Sequence, residues 1–586
     1  MTTFLRLVYF QERGRKKSHG FRQEKVGECL VIAGNFLSLC RKNDSNVTHM
    51  MKYPIGIQSF AQLREDGFVY VDKTVLLHKL VTEGKIYFLS RPRRFGKSLL
   101  VSTLKAYFQG RKDLFQGLAL EELEKEWAEY PVFHVDFNGT VFTEKEALER
   151  RLESYVEEWE RMYGKIPSDA DLGSRFAYAL RQAHLRTGRR CVVLIDEYDK
   201  PILDVLDTNF RVWVDGQEYL LEDRNRELLK GFYSVFKAAD EDLRFVLLTG
   251  VTKFSQVSVF SGFNQPADLS MDPRYEALCG ITQEELERYF AEPIGAMAAQ
   301  EGIPVEEMMS RLKRQYDGYH FSPRLTDVYN PFSLLNAFAS GLLMDYWFRS
   351  GTPTYLLRLL AHSNENLNEM TGRYYDPQEF IDYKATVEKP LPMIYQSGYL
   401  TIKDCDREFG TYLLDFPNNE VKKGFLSLVA NDYFKPEREG TESWVRTLVK
   451  ALRAGDVDRL RPLFTSFLAD IPYTMRRKAD ERERERYFHY TFYLIFRLVS
   501  VYAVYTEKQQ SEGRVDCIVE TPRYVYIFEF KLDGTADEAL RQIAEKGYAR
   551  PYEAEARTLF CIGVGFSSQS GTVADWKVER GASLTF

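Results

Sequence analysis

The run Ile86-Tyr87-Phe88-Leu89-Ser90, followed at once by Arg91-Pro92-Arg93-Arg94-Phe95-Gly96-Lys97-Ser98, constrains the fold more than any other stretch of the chain. A short apolar run, a tight cationic loop and then apolar residues at helical spacing read as strand, turn and helix. Leu99, Leu100, Thr103, Leu104, Tyr107 and Phe108 keep the 3.6-residue period and stop at Gly110, which predicts a helix over Ser98 to Phe108 lying on a sheet. Gly96, Lys97 and Ser98 at such a turn suit a phosphate cradle, where backbone N–H groups, the helix N-terminus and the Lys ammonium converge on one anion. A P-loop also begins its span with glycine, and here Arg91 stands in that place. A lone Gly-Lys-Ser is common, so a basic turn with a solvated lysine is the competing explanation until other segments are weighed.

The second segment is Cys191-Val-Val-Leu-Ile-Asp196-Glu197-Tyr-Asp-Lys-Pro201. Its continuous apolar run predicts a strand covered on both faces, as in parallel sheets. An acid at the end of such a strand helps hold the magnesium of a P-loop enzyme, and a neighbouring Glu can orient or deprotonate the attacking water. Asp196 and Glu197 fit those two roles. Pro131 to Phe137 reads as an intervening strand, and Arg244 to Gly250, after the helical stretch Arg226 to Ala239, as a fourth. Its polar end, Thr249 with Thr252 and Lys253, lies where an ATPase senses the γ-phosphate. Strands alternating with helices, with the motifs at strand C-termini, give a doubly wound α/β plan with a parallel sheet.

From Tyr53 to about Pro353 the chain resembles the AAA-ATPase-like family of bacterial proteins. The motifs that carry the resemblance are GIQSF with LR (56–64), VDKT (71–74), RPRRFGKS (91–98), LIDEYDKP (194–201), LTGVTKFS (248–255) with VFSGFN (259–264), YDGYHF (316–321) and YNPFS (329–333). In that family Arg in place of the first glycine is usual. The resemblance implies ATP bound at Lys97 and Ser98, with Asp196 and Glu197 as the Walker B pair; the rest of the loop, Arg91, Arg93, Arg94, Phe95 and Gly96, and Thr249 at the end of the fourth strand are expected to complete the nucleotide site. Mg²⁺ is expected on Ser98 and Asp196, with Glu197 as the carboxylate that orients or deprotonates the attacking water. Arg91, Arg93 and Arg94 flank Pro92, whose fixed φ stiffens the turn, and arginine can grip phosphate bidentately. The alternative is that one or two of them pair with neighbouring acids. An arginine finger has candidates in Arg244, Arg274 or a neighbouring copy in a homo-oligomer.

At 586 residues the chain has length for three or four domains. A net charge of −6 argues against a global nucleic-acid footprint, so any such contact must be local. The seven cysteines show no paired metal spacing and suit a reducing, cytoplasmic setting. No apolar run approaches the ~20 residues of a membrane helix. Residues 1–49 fit nothing that follows and are expected to be a non-native or disordered leader, with the native start at Met50 or Met51. The expected divisions are an ATPase core over 50–280, a helical and winged-helix-like region over 281–475, and a last domain over 476–586. Within the middle region Thr282 to Met297, Pro331 to Leu343 and Thr354 to His362 read as helices. Tyr395 to Ile402, followed by Thr411 to Phe416, reads as a hairpin.

The last domain holds a second constellation. Gly513 to Val519 reads as one strand and Tyr524 to Phe530 as the next, with Glu529 and Lys531 on one face by the strand period. Asp516 and Glu529 can supply oxygen ligands to a divalent ion while Lys531 positions or activates a water. This order, D then E-x-K, resembles the PD-(D/E)xK nuclease superfamily, a restriction-endonuclease-like α/β fold, over about residues 480 to 570. Glu485 ahead of His489-Tyr490, Glu507, Gln542 and Tyr548 extend the match. The resemblance implies that Glu485 completes a metal site with Asp516 and Glu529, that Gln542 orders the active centre, and that nucleic acid, DNA or RNA, is the substrate. Nucleotide at the first site is then expected to control Mg²⁺-dependent cleavage at the last. The alternative is a nucleotide-dependent switch whose nuclease-like fold only binds.

Overall fold

A computed structural model of the chain describes residues 51–253, 266–349, 370–381, 390–434, 441–469 and 516–580, apart from isolated positions within those ranges, together with isolated residues between 495 and 514. The expected leader, the helix at Thr354 to His362, the VFSGFN motif, Glu485 and Glu507 lie outside the described residues.

Ile86–Ser90 (β1), Val132–Asp136 (β2), Cys191–Asp196 (β3), Leu243–Gly250 (β4) and the two-residue Ala267–Asp268 (β5) form one sheet in the order β2-β3-β4-β1-β5. Every pair in it is parallel. All six residues of β3 are buried, as are all of β4 except Arg244, because helices cover both faces. The helix after the cradle, Lys97–Phe108 (α1), buries Leu100, Val101, Leu104 and Phe108 on that sheet. Ala147–Tyr163 (α2) turns Leu148, Leu152, Val156 and Trp159 inward at spacings of three and four. Leu172–Thr187 (α3) starts where the Asp171 carboxylate accepts from Ser174 N–H, and Leu221–Ala238 (α4) completes the set. Since β4 lies between β1 and β3, the cradle strand and the acid strand are not neighbours. Register nevertheless brings their ends level: Leu89 faces Thr249, Leu248 faces Ile195, and Asp196 faces Asp136.

The middle region is helical. Gln283–Glu301 (α5) opens with a capping box between Thr282 and Glu285 and passes Pro293, running past the expected end at Met297. Val305–Tyr316 (α6) and Pro331–Ser340 (α7) follow, the latter capped by Asn330. The expected hairpin needs correcting. Leu391–Gln396 (α8) is a helix begun at Pro390 and Pro392, closed by Gly398 at φ +87°, and the strand starts only at Thr401. Thr401–Asp406 (β7) then pairs with Thr411–Asp415 (β8), which also takes Arg373–Tyr375 (β6) on its other side. Asn419–Phe434 (α9), Thr441–Ala454 (α10) and Val457–Ala469 (α11) lead to the last sheet.

That sheet has the order β9-β10-β11-β12-β13, made from Tyr505–Thr506, Cys517–Glu520, Tyr524–Leu532, Thr558–Ser567 and Thr572–Arg580. Only β11 and β12 run parallel, joined over one face by Ala536–Glu545 (α12). The strand expected over Gly513 to Val519 is broken: Gly513–Arg514 pairs with Gln509–Gln510, and β10 begins at Cys517, so Asp516 sits at its mouth. From Tyr53 onward the chain forms one compact unit with a hydrophobic core running through both sheets. Among the described residues no helix is long and apolar enough to cross a membrane.

Candidate nucleotide and nuclease sites

At the C-terminal end of β1 the chain leaves the sheet at Arg91 and enters α1 at Gly96, whose φ of +91° is one that side chains resist. No side chain caps α1, so its first N–H groups are left without acceptors, which suits a phosphate. Lys97 is 6% exposed, and its ammonium donates to Arg91 O at 2.9 Å and Pro92 O at 3.1 Å. A buried ammonium hydrogen-bonded to loop carbonyls still has a donor to offer, so an anion beside it would gain a charge-assisted hydrogen bond. Ser98 follows, half-buried, in the first turn.

The acids meet that loop from β3. Asp196, almost fully buried, accepts from Thr249 Oγ1 at 2.5 Å and from Glu197 N–H at 3.1 Å. The first of these hydrogen bonds ties the end of β4 directly to the acid of β3. Glu197 takes φ +52°, a strained value for a glutamate, where β3 ends. Burial raises its carboxyl above the usual range, while the Lys97 ammonium pulls it back down. Behind it, Tyr198 N–H donates to Thr249 O at 3.0 Å and the Tyr198 hydroxyl to Thr252 O at 2.9 Å. Asp199 Oδ2 accepts from Val251 N–H, Thr252 N–H and Thr252 Oγ1 at 3.0, 2.6 and 2.7 Å. These two residues lock the turn after β3 to the turn after β4. The crossing is so close that a Cβ on Gly250 would lie 2.7 Å from both Asp199 Oδ1 and the Tyr198 ring.

The three arginines divide. Arg91 is 1% exposed and turned into the protein: its Nη1 donates to Ser90 O at 2.9 Å and Ser270 O at 2.8 Å, its Nη2 to Tyr275 O at 3.4 Å, and its guanidinium lies 4.1 Å over the Phe321 ring. Its hydrogen-bond partners are backbone carbonyls, with Asp268 and Glu276 near enough to act on its charge. Arg93 and Arg94 are exposed, Arg94 with its guanidinium 4.9 Å over Phe332. Phe95 is buried edge-on to Tyr319 and Phe321. Lys253 pairs with Asp268 at 3.0 Å. Arg244 binds Val81 O from the opposite end of β4, and Arg274 is held by Asp272 and Glu83, so neither reaches the cradle in this chain.

In the last domain the strand period does what the sequence implies. Glu529 is 2% exposed; its Oε1 accepts from Lys531 Nζ at 3.2 Å and from Gln542 Nε2, and Gln542 Oε1 in turn accepts from Lys531 Nζ at 2.6 Å. Glu529 Oε2 is buried with no hydrogen-bond partner among the described residues. Burial first, then the nearby Asp516, pushes the Glu529 carboxyl up to about 7, against the pull of Lys531. Asp516 itself is fixed across the mouth of β10, its Oδ2 accepting Phe530 N–H at 2.8 Å. A buried, partnerless carboxylate oxygen beside a second carboxylate is the donor set a hard divalent cation takes, so Mg²⁺ fits these residues.

Comparison with known proteins agrees with this geometry. Residues 54–260 match the model of a predicted AAA-ATPase, and residues 483–576 that of the PD-(D/E)XK nuclease superfamily. A protein of Azotobacter chroococcum mcd 1, named as an uncharacterized protein in the vnfD 5′ region, is 36% identical over 534 residues, 90% of this chain and 99% of the relative. The chain belongs to this AAA-ATPase-like family with a PD-(D/E)XK nuclease superfamily domain. In this AAA-ATPase-like protein, sequence reasoning missed Tyr198 and Asp199 as clamps, although both lie inside the LIDEYDKP motif. It also missed Trp347, whose indole N–H donates to Arg93 O at 3.1 Å; no motif marks that residue.

Proposed function

We propose that the chain binds ATP with Mg²⁺ at the cradle, and that nucleotide state controls metal-dependent cleavage of nucleic acid at the C-terminal site. The buried Glu529 Oε2 beside Asp516 carries this reading, because it has no hydrogen-bond partner among the described residues and a divalent cation would supply one. Lys97 and Ser98 hold phosphate and metal, Asp196 and Thr249 orient that shell, and Glu197 takes a proton from water. In the second site Asp516 and Glu529 hold the ion, Gln542 aims Lys531, and Lys531 positions the attacking water. A bound Mg²⁺ would polarise the phosphodiester and lower the pKa of its water. Arg244 and Arg274 are both engaged elsewhere, so an arginine finger would come from a neighbouring copy in a homo-oligomer. The five described cysteines, all free, support a cytoplasmic setting.

The test is pure protein with ATP, Mg²⁺ and single- or double-stranded DNA or RNA, beside Lys97→Ala, Glu529→Ala and Lys531→Ala. Cleavage lost in the two C-terminal variants, and its nucleotide dependence lost in Lys97→Ala, is expected. ATP turnover with no cleavage of any substrate overturns the nuclease and leaves a nucleotide-dependent switch.

A further inference from the structure

The cradle loop touches the middle region at Trp347, and that residue connects onward to the nuclease-like sheet. Trp347 is buried, and three bonds or packings fix it. Its indole N–H reaches Arg93 O, its own N–H donates to Glu420 Oε1 at 2.6 Å, and its ring lies 5.1 Å from Tyr399, which lies 4.9 Å from Phe425. Glu420 and Phe425 both belong to α9, and a Cβ on Gly424 of that helix would overlap the Phe348 ring. The loop is also backed by Gly398, where a Cβ would lie 2.6 Å from the Pro92 ring. α9 packs on α10. From there Tyr526 donates to Leu452 O at 2.7 Å, and Phe464 of α11 lies 6.3 Å from Phe528, the residue before Glu529.

Phosphate at the cradle would meet the loop at Lys97. Its ammonium ties Arg91 O and Pro92 O together, and a phosphate drawn to the same ammonium would pull on those two bonds. Beside the loop a cavity of about 40 Å³, lined by Ser90, Arg91 and Pro92 with Tyr319 and Thr401, leaves room for a shift of that backbone. Arg93 O is the next acceptor along the chain, and it is the one Trp347 holds. We infer that Trp347 reads the state of the cradle through Arg93 O and passes it by Glu420 and α9 to the helices under the nuclease-like sheet. This rests on the coupling proposed above and names the residue that carries it. Trp347 touches the loop through Arg93 O and α9 through Glu420, which is the contact with both sides that such coupling requires.

Hydrogen exchange of the full chain, with and without a non-hydrolysable ATP analogue and Mg²⁺, tests it. In the wild type the nucleotide should change protection over both 86–110 and 441–469. Trp347→Phe keeps the ring and removes the N–H donor, so the change should be confined to 86–110, with nucleotide affinity within about threefold of wild type. Glu420→Ala should confine it likewise, and Glu420→Gln, which keeps an acceptor for Trp347 N–H, should restore it. Unchanged protection in β3 and β4 reports intact folding. Transmission in Trp347→Phe equal to wild type, or no response at 441–469 in the wild type, overturns the inference. Cleavage is measured separately: its absence with the exchange pattern present sinks the nuclease reading and leaves the relay standing.

Discussion

Glu529 allows a quantitative test that needs no substrate. Its carboxyl ordinarily titrates at 4.5 and in the folded chain at about 7, so the folded state disfavours the charged form. A group raised in this way gives its full stability while folded and unfolded chains both hold the proton, and loses it as pH climbs through about 7. At ~1.4 kcal/mol for each tenfold, the ionised carboxylate costs the metal-free fold about 3 kcal/mol at high pH. Glu529→Gln removes the charge, keeps an oxygen for Lys531 and Gln542, and places an amide where Oε2 has no partner. The metal-free variant should therefore match wild type near pH 4 and be more stable at pH 8.5, by up to about 3 kcal/mol in urea denaturation. Mg²⁺ should reverse the order, stabilising wild type and leaving the variant unmoved. Below about pH 7 the apparent Mg²⁺ affinity of wild type should fall about tenfold per pH unit, since the ion competes with one proton. A variant less stable than wild type at pH 8.5 without metal, or a difference that does not change with pH, refutes this account of the site.

Further outcomes separate structural from ligand-binding roles around the cradle. Arg91→Met strips three carbonyls of their buried donor and should cost about 3 kcal/mol in denaturant unfolding, while ATP affinity of the folded protein changes less than about tenfold. Arg93→Ala with Arg94→Ala should show the reverse, a loss of ATP affinity above about tenfold by calorimetry with stability nearly unchanged, since both side chains are exposed. Asp199→Ala leaves Val251 N–H, Thr252 N–H and Thr252 Oγ1 without their acceptor and should lower stability by about 3 kcal/mol, seen as a shifted urea midpoint. Gly250→Ala forces a methyl against Tyr198 and Asp199 and should cost about 1–3 kcal/mol in the same measurement.

What the sequence makes legible follows from where burial is two-sided. β3 and β4 announce themselves because residues such as Val192, Val193, Leu247 and Leu248 are buried whichever face they point to. Glu529 and Lys531 are legible for the opposite reason, since a period of two leaves them no choice of face. Strand order is not written locally: that β4 slips between β1 and β3 depends on crossovers carried by α2, α3 and α4. The stretch Tyr395 to Ile402 alternates as a strand should, yet two prolines and a glycine with positive φ make its first part a helix and a turn. Asp516 reads as part of a strand, but the pairing stops at Arg514 and resumes at Cys517, which frees it to face Glu529. Trp347 could not be found from sequence, because its partners lie 254 and 73 residues away along the chain.

The arginine at the head of the loop then has a physical explanation. A glycine is required where φ must be positive or where a backbone or ligand approaches too closely for a Cβ. In this loop the positive values fall at Arg94, with φ +70°, and at Gly96, with φ +91°, and not at position 91. Arg91 is thus under no conformational demand to be glycine, and its side chain is free to turn away from the cradle. There it gathers the carbonyls of Ser90, Ser270 and Tyr275, tying the end of β1 to the segment that follows β5. Its own carbonyl is one of the two that Lys97 holds. Arg91 is consequently anchored on both sides, by its guanidinium from behind and by its carbonyl from in front. A loop built with glycine there would have only the second tie. Because the first residue is pinned, any shift of the loop would fall further along, at Pro92 and Arg93, which contact Gly398 and Trp347.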